Sequence, residues 1–284
     1  MNYWLSIKDK FNDQIVLGTQ LLVLLLCVYV FILAEEHVLW KAPLIFVGLL
    51  SWYLLRDKTD HPILLILGLV LLIIDLCYSY YWVANHHFML LFVVLAVILY
   101  VYHQDKDIFL NNIQLILVIV ILTSVIQKLL SSQFMSGDFY YYMINRGALF
   151  RFFINFFPDS LEVVKSNQEQ LLALHDTNPN IQQSIVMKDI IPNLGKISVI
   201  YAWLTVIIES FIAFAMLWKS RNTWTHLLLI VMILGILCAR FETGFMALLA
   251  VCGMFLCNNV KLRLFYVIIF MACIAFIVTK IGYH

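Results

Sequence analysis

The chain has 284 residues, of which 63% are hydrophobic and only 12% are charged. Soluble domains average about 45–50% apolar and about 25% charged residues, so this composition excludes an ordinary soluble domain and predicts an all-α integral membrane protein. The formal net charge of +1 indicates neither nucleic acid nor an acidic macromolecule as a partner, and the expected surroundings are a lipid bilayer.

Apolar blocks follow one another along the whole chain, most of them near the length of about 20 residues that a helix needs to cross the hydrocarbon core. We predict a bundle of about nine transmembrane helices. The second, seventh and eighth blocks give the weakest signal, because they are short or contain a charge. The predicted spans are Gln14–Leu33, Val38–Leu55, Pro62–Tyr81, Asn85–Tyr102, Ile108–Leu130, Ile197–Trp218, Trp224–Ala239, Gly244–Cys257 and Leu262–Thr279.

The orientation follows from the lysine and arginine residues in the short connections, because cytoplasmic loops carry an excess of them. A cytoplasmic N-terminus places most of these residues inside, and with nine spans the C-terminus is then outside. The inner connections hold Lys8, Lys10, Arg56, Lys58, Lys106, Lys219, Arg221, Lys261 and Arg263, and the outer ones Lys41, Arg240 and Lys280.

One long connection, residues 131–196, separates the fifth block from the sixth and lies outside in this orientation. Its first half is rich in Phe and Tyr, which predicts one or two interfacial helices. Its second half predicts a short helix that starts at an Asp159/Ser160 cap, and then a loop around Asn178-Pro179. The whole chain, 1–284, is therefore expected to be one transmembrane domain with an extra-membrane interfacial loop, which is either functional or a surface cap without chemistry.

Ionisable residues inside apolar blocks are the first candidates for chemistry, because charges inside a bilayer are costly. Lys128 ends the fifth block, where it either snorkels to the interface or acts as a desolvated base. Asp75 and Glu209 lie within spans, where each is expected to face the bundle interior or a partner, or to be protonated. They are either site residues or part of a structural hydrogen bond or ion pair between spans. Arg240 and Glu242 are compatible with a simple outer turn.

A polar group also stands at the turn between the third and fourth blocks. Asn85, His86 and His87 follow several aromatic residues that include Tyr81. The histidines either bind a ring-shaped ligand or move protons, or they form an interfacial polar cap. Adjacent histidines point to different sides of a helix, so we predict no metal site.

The stretch from Ser124 to Phe153 resembles the membrane domain of vitamin K-dependent gamma-glutamyl carboxylases and the wider horizontally transferred transmembrane (HTTM) family. The asparagine–histidine pair upstream and the intramembrane acid Glu209 are similar to features of that family. The residues that carry the main resemblance are Gln127-Lys128-Leu129, Gly137, Tyr141 or Tyr142, Leu149-Phe150 and Phe153.

The resemblance implies that Lys128 is a catalytic base acting on a vitamin K-type quinol or another lipid-soluble quinone, without a metal. It also implies a substrate-binding set, namely Asn85, His86, His87, Tyr81, Tyr141 and Glu209. The carboxylases carry a large extra-membrane domain after their spans that is not expected here, so the resemblance implies that the peptide-binding surface is either absent or supplied by a peptide or protein partner. Bacterial relatives imply an inner-membrane location.

Two further functions stay open on the sequence. A non-catalytic or peptide-maturation membrane partner is similar to bacterial HTTM proteins that assist toxin-peptide maturation. A transporter or channel is disfavoured, because the chain has no internal repeat of the kind that secondary transporters show, and its spans hold few polar residues.

Overall fold

The computed structural model describes residues 13–29, 38–55, 62–79, 85–175 and 185–279. Within these ranges the regular structure is helical and contains no β-strand, as the composition predicts. The helices in chain order are α1 (Gln14–Val28), α2 (Val38–Leu55), α3 (Ile63–Ser79), α4 (Asn85–His103), α5 (Lys106–Leu130), α6 (Ser132–Met135), α7 (Asp138–Asn145), α8 (Arg151–Ile154), α9 (Pro158–His175), α10 (Leu194–Lys219), α11 (Thr223–Arg240), α12 (Thr243–Leu256) and α13 (Val260–Val278).

Each predicted apolar block coincides with an apolar helix, but the helices differ in length. By length and composition, five of those described can cross a membrane: His86–His103 within α4, and the whole of α5, α10, α11 and α13. The apolar stretches of α1, α2, α3 and α12 are shorter. The protein is therefore helical and has several helices fit to span a bilayer.

Side-chain caps mark where several of these helices begin. The Asp13 carboxylate accepts hydrogen bonds from the amides of Ile15 and Val16, at 2.9 and 3.2 Å, and so starts α1. Asn259 caps α13 in the same way, accepting from the Lys261 amide at 3.0 Å. The first amides of a helix have no partner inside it, and these side chains satisfy some of them.

The described residues divide into two compact units, and unit 1 comprises those within 1–121, 212–237 and 242–284. Its core is built around α12, which packs against α13, α1 and α4. Every α12 residue from Met246 to Leu256 is buried. A helix that is apolar on all sides belongs inside a protein, so this short block is surrounded by other helices.

Unit 2 comprises the residues within 122–211 and 238–241, and so holds the described part of the long connection 131–196. The first half of that connection forms three short helices, α6, α7 and α8, where one or two were predicted. The helix predicted to start at an Asp159/Ser160 cap is α9, which has 18 residues and begins earlier, at Pro158, so that Asp159 lies inside its first turn. Proline is favoured at the first helical position because its missing N–H is not needed there. The predicted Asn178-Pro179 loop lies outside the described residues.

Gly137 determines how α7 sits on α10. Its φ of +83° lies in the left-handed region, which side chains with a Cβ rarely adopt. A Cβ at this position would lie 2.6 Å from the Val199 amide nitrogen and 2.9 Å from the Ser198 carbonyl carbon. Both the backbone conformation and the close approach therefore require glycine.

Two fully buried asparagines hold residues 185–190 against α7 and α9. The side-chain nitrogen of Asn167 donates to the backbone carbonyls of Asn145 and Lys188, at 3.0 and 2.9 Å. Its side-chain oxygen accepts from the backbone N–H of Lys188 at 2.9 Å. Asn145 Oδ1 accepts from the Ile190 amide at 3.1 Å. Because buried polar groups need partners, these side chains fix the path of the chain as it returns to α10.

Candidate functional site

Lys128 and Glu209 form an ion pair in unit 2. The lysine lies in the last turn of α5, where the helix dipole favours a cation, and the glutamate lies within α10. Lys128 Nζ donates to Glu209 Oε1 at 2.5 Å, to Glu209 Oε2, and to Ser124 Oγ at 2.9 Å. The lysine side chain is 16% exposed and the glutamate side chain 8%. The ammonium therefore has three acceptor oxygens within hydrogen-bond distance, and the nitrogen is not in bulk solvent.

Four aromatic side chains, Phe134, Phe139, Tyr140 and Tyr201, form what we call the aromatic cluster. Lys128 Nζ lies 5.9 Å from the centre of the Phe134 ring. Tyr140 meets Phe134 and Phe139 edge-on, with centroids 5.1 and 5.4 Å apart, and meets Tyr201 at 4.5 Å. These edge-to-face arrangements are the favoured geometry for aromatic rings, so the cluster forms a packed wall beside the ion pair.

The Tyr140 hydroxyl lies 3.2 Å from Thr205 Oγ1. Thr205 donates its own proton to the Tyr201 carbonyl at 2.8 Å, so Tyr140 is the donor in the first bond. Burial raises the pKa of Tyr140 above its ordinary value; Glu209 raises it further and Arg240 lowers it. The hydroxyl therefore stays protonated and lies within electrostatic reach of both an acid and a cation.

Arg240 ends α11 in a tightly defined turn. The next residue, Phe241, has φ +56°, and Phe150 has φ +54°. The Phe150 amide donates to the Ala239 carbonyl at 2.9 Å, which satisfies one of the last carbonyls of the helix. The Arg240 guanidinium carbon lies 5.8 Å from the centre of the Phe139 ring. Left-handed backbone is unfavourable for phenylalanine, and such strain tends to occur where a site must be held in one geometry.

The predicted histidines lie in unit 1. His86 stacks on Phe245 with ring centroids 6.1 Å apart. His87 is 1% exposed, and its ring nitrogens lie 2.9 Å from the Leu72 carbonyl and 2.7 Å from the Tyr29 hydroxyl. A carbonyl only accepts, so Nε2 carries the hydrogen and Nδ1 accepts from Tyr29 in the neutral ring. This bonding is that of a structural histidine.

The remaining predicted residues are placed only in part. The Tyr141 hydroxyl donates a hydrogen bond to Asp189 Oδ1 at 2.6 Å, which connects α7 to the segment 185–190. Asn85 begins α4, but its side chain, like the whole of Tyr81, lies outside what the structure describes. Asp75 is buried in α3, as expected for an acid within a span.

The structure thus brings together Lys128 and Glu209, two of the residues singled out in the sequence. Ser124, Thr205 and Tyr140 join them without having been predicted. The spacing of four residues from Ser124 to Lys128 is a local signal that identifies the serine, since residues i and i+4 share a helix face. Tyr140 had no such signal beyond its position next to Tyr141.

The ion pair can exist in two forms that carry the same net charge. A proton that moves from Lys128 to Glu209 converts ammonium and carboxylate into amine and carboxylic acid. The neutral amine has a lone pair that can accept a proton from a ligand. Among the described residues no group of three or more His, Cys, Asp or Glu side chains is arranged to hold a metal ion.

Comparison of the chain with protein-family models, with curated proteins and with solved structures gave no match.

Proposed function

We propose that this protein is an HTTM-like multi-pass membrane enzyme in which Lys128 takes a proton from a ring-bearing, lipid-soluble substrate of the vitamin K quinol type. The observation that carries the proposal is the largely buried Lys128–Glu209 pair beside the aromatic cluster. An ion pair among apolar side chains adds little stability, because desolvation offsets much of the attraction. Its presence in an apolar segment is therefore better explained by a chemical role.

The proposed step is a single proton transfer. With its proton on Glu209, the neutral Lys128 amine accepts the hydroxyl proton of the quinol, which leaves an ammonium ion and a quinolate. The residues suit such a ligand in chemical type, because an amine can accept its hydroxyl proton and aromatic side chains stand beside that amine. Exclusion of water strengthens these interactions.

The proposed topology has nine spans in the bacterial inner membrane, with the N-terminus cytoplasmic and the C-terminus outside. It is supported by the helix found at each apolar block and by the burial of the short α12 among other helices of its unit, since such a helix does not need to match the full bilayer thickness. A C-terminal fusion to alkaline phosphatase is expected to be active, and one to green fluorescent protein dark; the opposite pair of results refutes the orientation.

The catalytic proposal is tested on protein in lipid nanodiscs supplied with reduced vitamin K and oxygen, following quinol loss and oxidised products by chromatography. Lys128→Arg and Lys128→Ala are each expected to lower the rate by about 100-fold or more, the usual contribution of a general base. Arginine keeps the charge but does not deprotonate. The same two changes at the exposed Lys165 of α9 are the matched controls and are expected to leave the rate unchanged.

A second function, a non-catalytic or peptide-maturation partner, is favoured by one observation. The Lys128 ammonium is already hydrogen-bonded to Ser124 and to both oxygens of Glu209, as expected for a purely structural ion pair. The double variant Lys128→Met/Glu209→Met replaces the pair by apolar side chains of similar size, which proteins often tolerate. A folded double variant that keeps wild-type function, whether quinol oxidation or support of a peptide partner, shows that the pair is structural and ends the catalytic proposal.

A further inference from the structure

Four phenylalanine side chains are exposed along one short stretch of unit 2, within α8 and the turn that leads to α9. They are between 39% and 79% exposed, and we call them the phenylalanine patch: Phe152, Phe153, Phe156 and Phe157. Phe152, the least exposed of the four, also packs on Phe241 with ring centroids 4.2 Å apart. A group of large apolar side chains this close together rarely faces water in a folded protein, and usually marks a surface that contacts another molecule or a membrane.

The phenylalanine patch is presented by an ordered backbone. The amides of Phe153, Phe156 and Phe157 each donate to the carbonyl three residues earlier, at 2.8, 3.0 and 2.9 Å. Ile154 lies between these residues and points inward, where it is buried. Because the hydrogen bonds fix the direction of the chain around Ile154, the rings on either side of it are held outward, and their apolar partner must lie outside the unit.

The position of the patch in the chain indicates what that partner is. The patch lies in the connection between α5 and α10, and both helices are long and apolar enough to cross a membrane. A connection between two successive spans begins and ends at the same membrane surface. The apolar phase next to this connection is therefore a lipid leaflet, and aromatic and aliphatic side chains on short surface helices are the ones that enter it.

A cation stands at one end of the patch. Arg151 directly precedes it and is exposed, and no acidic side chain among the described residues forms an ion pair with this arginine. The acid that follows the patch, Asp159, lies in the first turn of α9, where the helix dipole favours a negative charge. A guanidinium matches the oxygens of a phosphate group, so the rings and the arginine together suit the two parts of a phospholipid, its acyl chains and its phosphate.

We infer that the phenylalanine patch is a lipid-binding surface, with its rings at the boundary of the acyl chains and the Arg151 guanidinium on the lipid phosphates. The patch then holds unit 2 against the leaflet from which α5 and α10 emerge. This inference concerns a surface separate from the ion pair, and it does not depend on the chemistry proposed for Lys128.

The test uses the full chain in nanodiscs of phosphatidylcholine and phosphatidylglycerol, with three exposed cysteines replaced by serine, namely Cys27, Cys77 and Cys238. A nitroxide label on Phe156→Cys reports collisions with oxygen, which concentrates in the bilayer, and with an uncharged nickel chelate, which stays in water. Labels on the exposed Ile207 of α10 and the exposed Glu169 of α9, each changed to cysteine, are the lipid and water references. We expect the oxygen-to-nickel ratio at Phe156 to approach that at Ile207 and to exceed that at Glu169 several-fold.

The role of Arg151 is tested in the same labelled protein. Arg151→Glu places a negative charge among the phosphates and is expected to raise nickel collisions at Phe156 by about twofold or more, because each basic side chain adds to the attraction of an anionic leaflet. Lys165→Glu, the same change of charge at an exposed position of α9, is the matched control and is expected to have no effect.

Three results overturn the inference. A label at Phe156 that collides with nickel as often as the Glu169 label places the patch in water. Few collisions with either reagent, together with spin–spin broadening between labels, show that a second copy of the chain covers the patch. Equal responses to Arg151→Glu and Lys165→Glu remove the arginine from the lipid phosphates. If Phe156→Cys does not fold, Phe157→Cys provides the same measurement.

Discussion

Substitution of Gly137 by alanine is expected to be among the most destabilising single-methyl additions in unit 2. An L-residue in the left-handed region costs about 1–2 kcal/mol. Its Cβ would also lie 2.6 Å from the Val199 amide nitrogen, a backbone atom that moves only if α7 moves away from α10. Overpacking of this kind costs about 1–3 kcal/mol, so we expect a total of about 2–5 kcal/mol.

Gly195→Ala is the matched control, because it adds the same methyl group at the start of α10 in the same unit. A Cβ there meets nothing within 4 Å, and alanine is favoured over glycine inside a helix by about 0.5–1 kcal/mol. The assay is the temperature at which half of the detergent-solubilised protein no longer elutes as a single species. Gly137→Ala with the same midpoint as wild type would refute the packing argument, most clearly if Gly195→Ala raises the midpoint.

Three further predictions each concern a hydrogen bond within one of the two units. Tyr29→Phe removes the donor to the buried His87 and is expected to destabilise the protein by about 1–3 kcal/mol, measured by the same heating assay; an unchanged midpoint would show that the histidine is satisfied without it. Asn167→Ala releases residues that the asparagine holds, so trypsin is expected to cleave after Lys188 faster than in wild type, and equal rates would count against the clamp. The hydrogen bond from Tyr141 to Asp189 raises the pKa of the tyrosine. The stability that this bond contributes is therefore present below the unfolded pKa of about 10 and is lost as the pH rises through the folded pKa. Ultraviolet titration of wild type against Tyr141→Phe measures the folded pKa, and a tyrosine that ionises at the ordinary value contradicts the prediction.

Much of the helical arrangement is readable from local sequence. Each apolar block becomes an apolar helix because hydrophobicity and helix length are properties of a short stretch of chain. The limits of the prediction appear where packing decides the outcome. The α12 block looked like a weak span, and its side chains are buried among other helices of its unit. The aromatic connection became three short helices because Gly137 and Phe150 introduce left-handed turns that hydropathy does not report.

The candidate site was only half predictable for the same reason. Lys128 and Glu209 are conspicuous because ionisable side chains in apolar stretches are rare, whereas their pairing joins residues 81 positions apart. Tyr141 was chosen from the family resemblance, yet it is Tyr140 that enters the aromatic cluster. Adjacent residues differ by about 100° around a helix, so only the docking of α7 on α10 determines which of the two faces the ion pair.

By itself the sequence determined that the chain is helical, that its apolar helices suit a bilayer, and which few charged residues lie in costly places. These conclusions depend on the free energy of transferring each stretch of chain from water to an apolar phase. That free energy is set by the residues of the stretch itself and not by distant contacts. The tertiary structure alone decided that the lysine is bonded to an acid, and that Arg240 stands over an aromatic ring in the same unit. Those facts depend on distances between residues far apart in the chain, and electrostatic and hydrogen-bond energies change steeply with such distances.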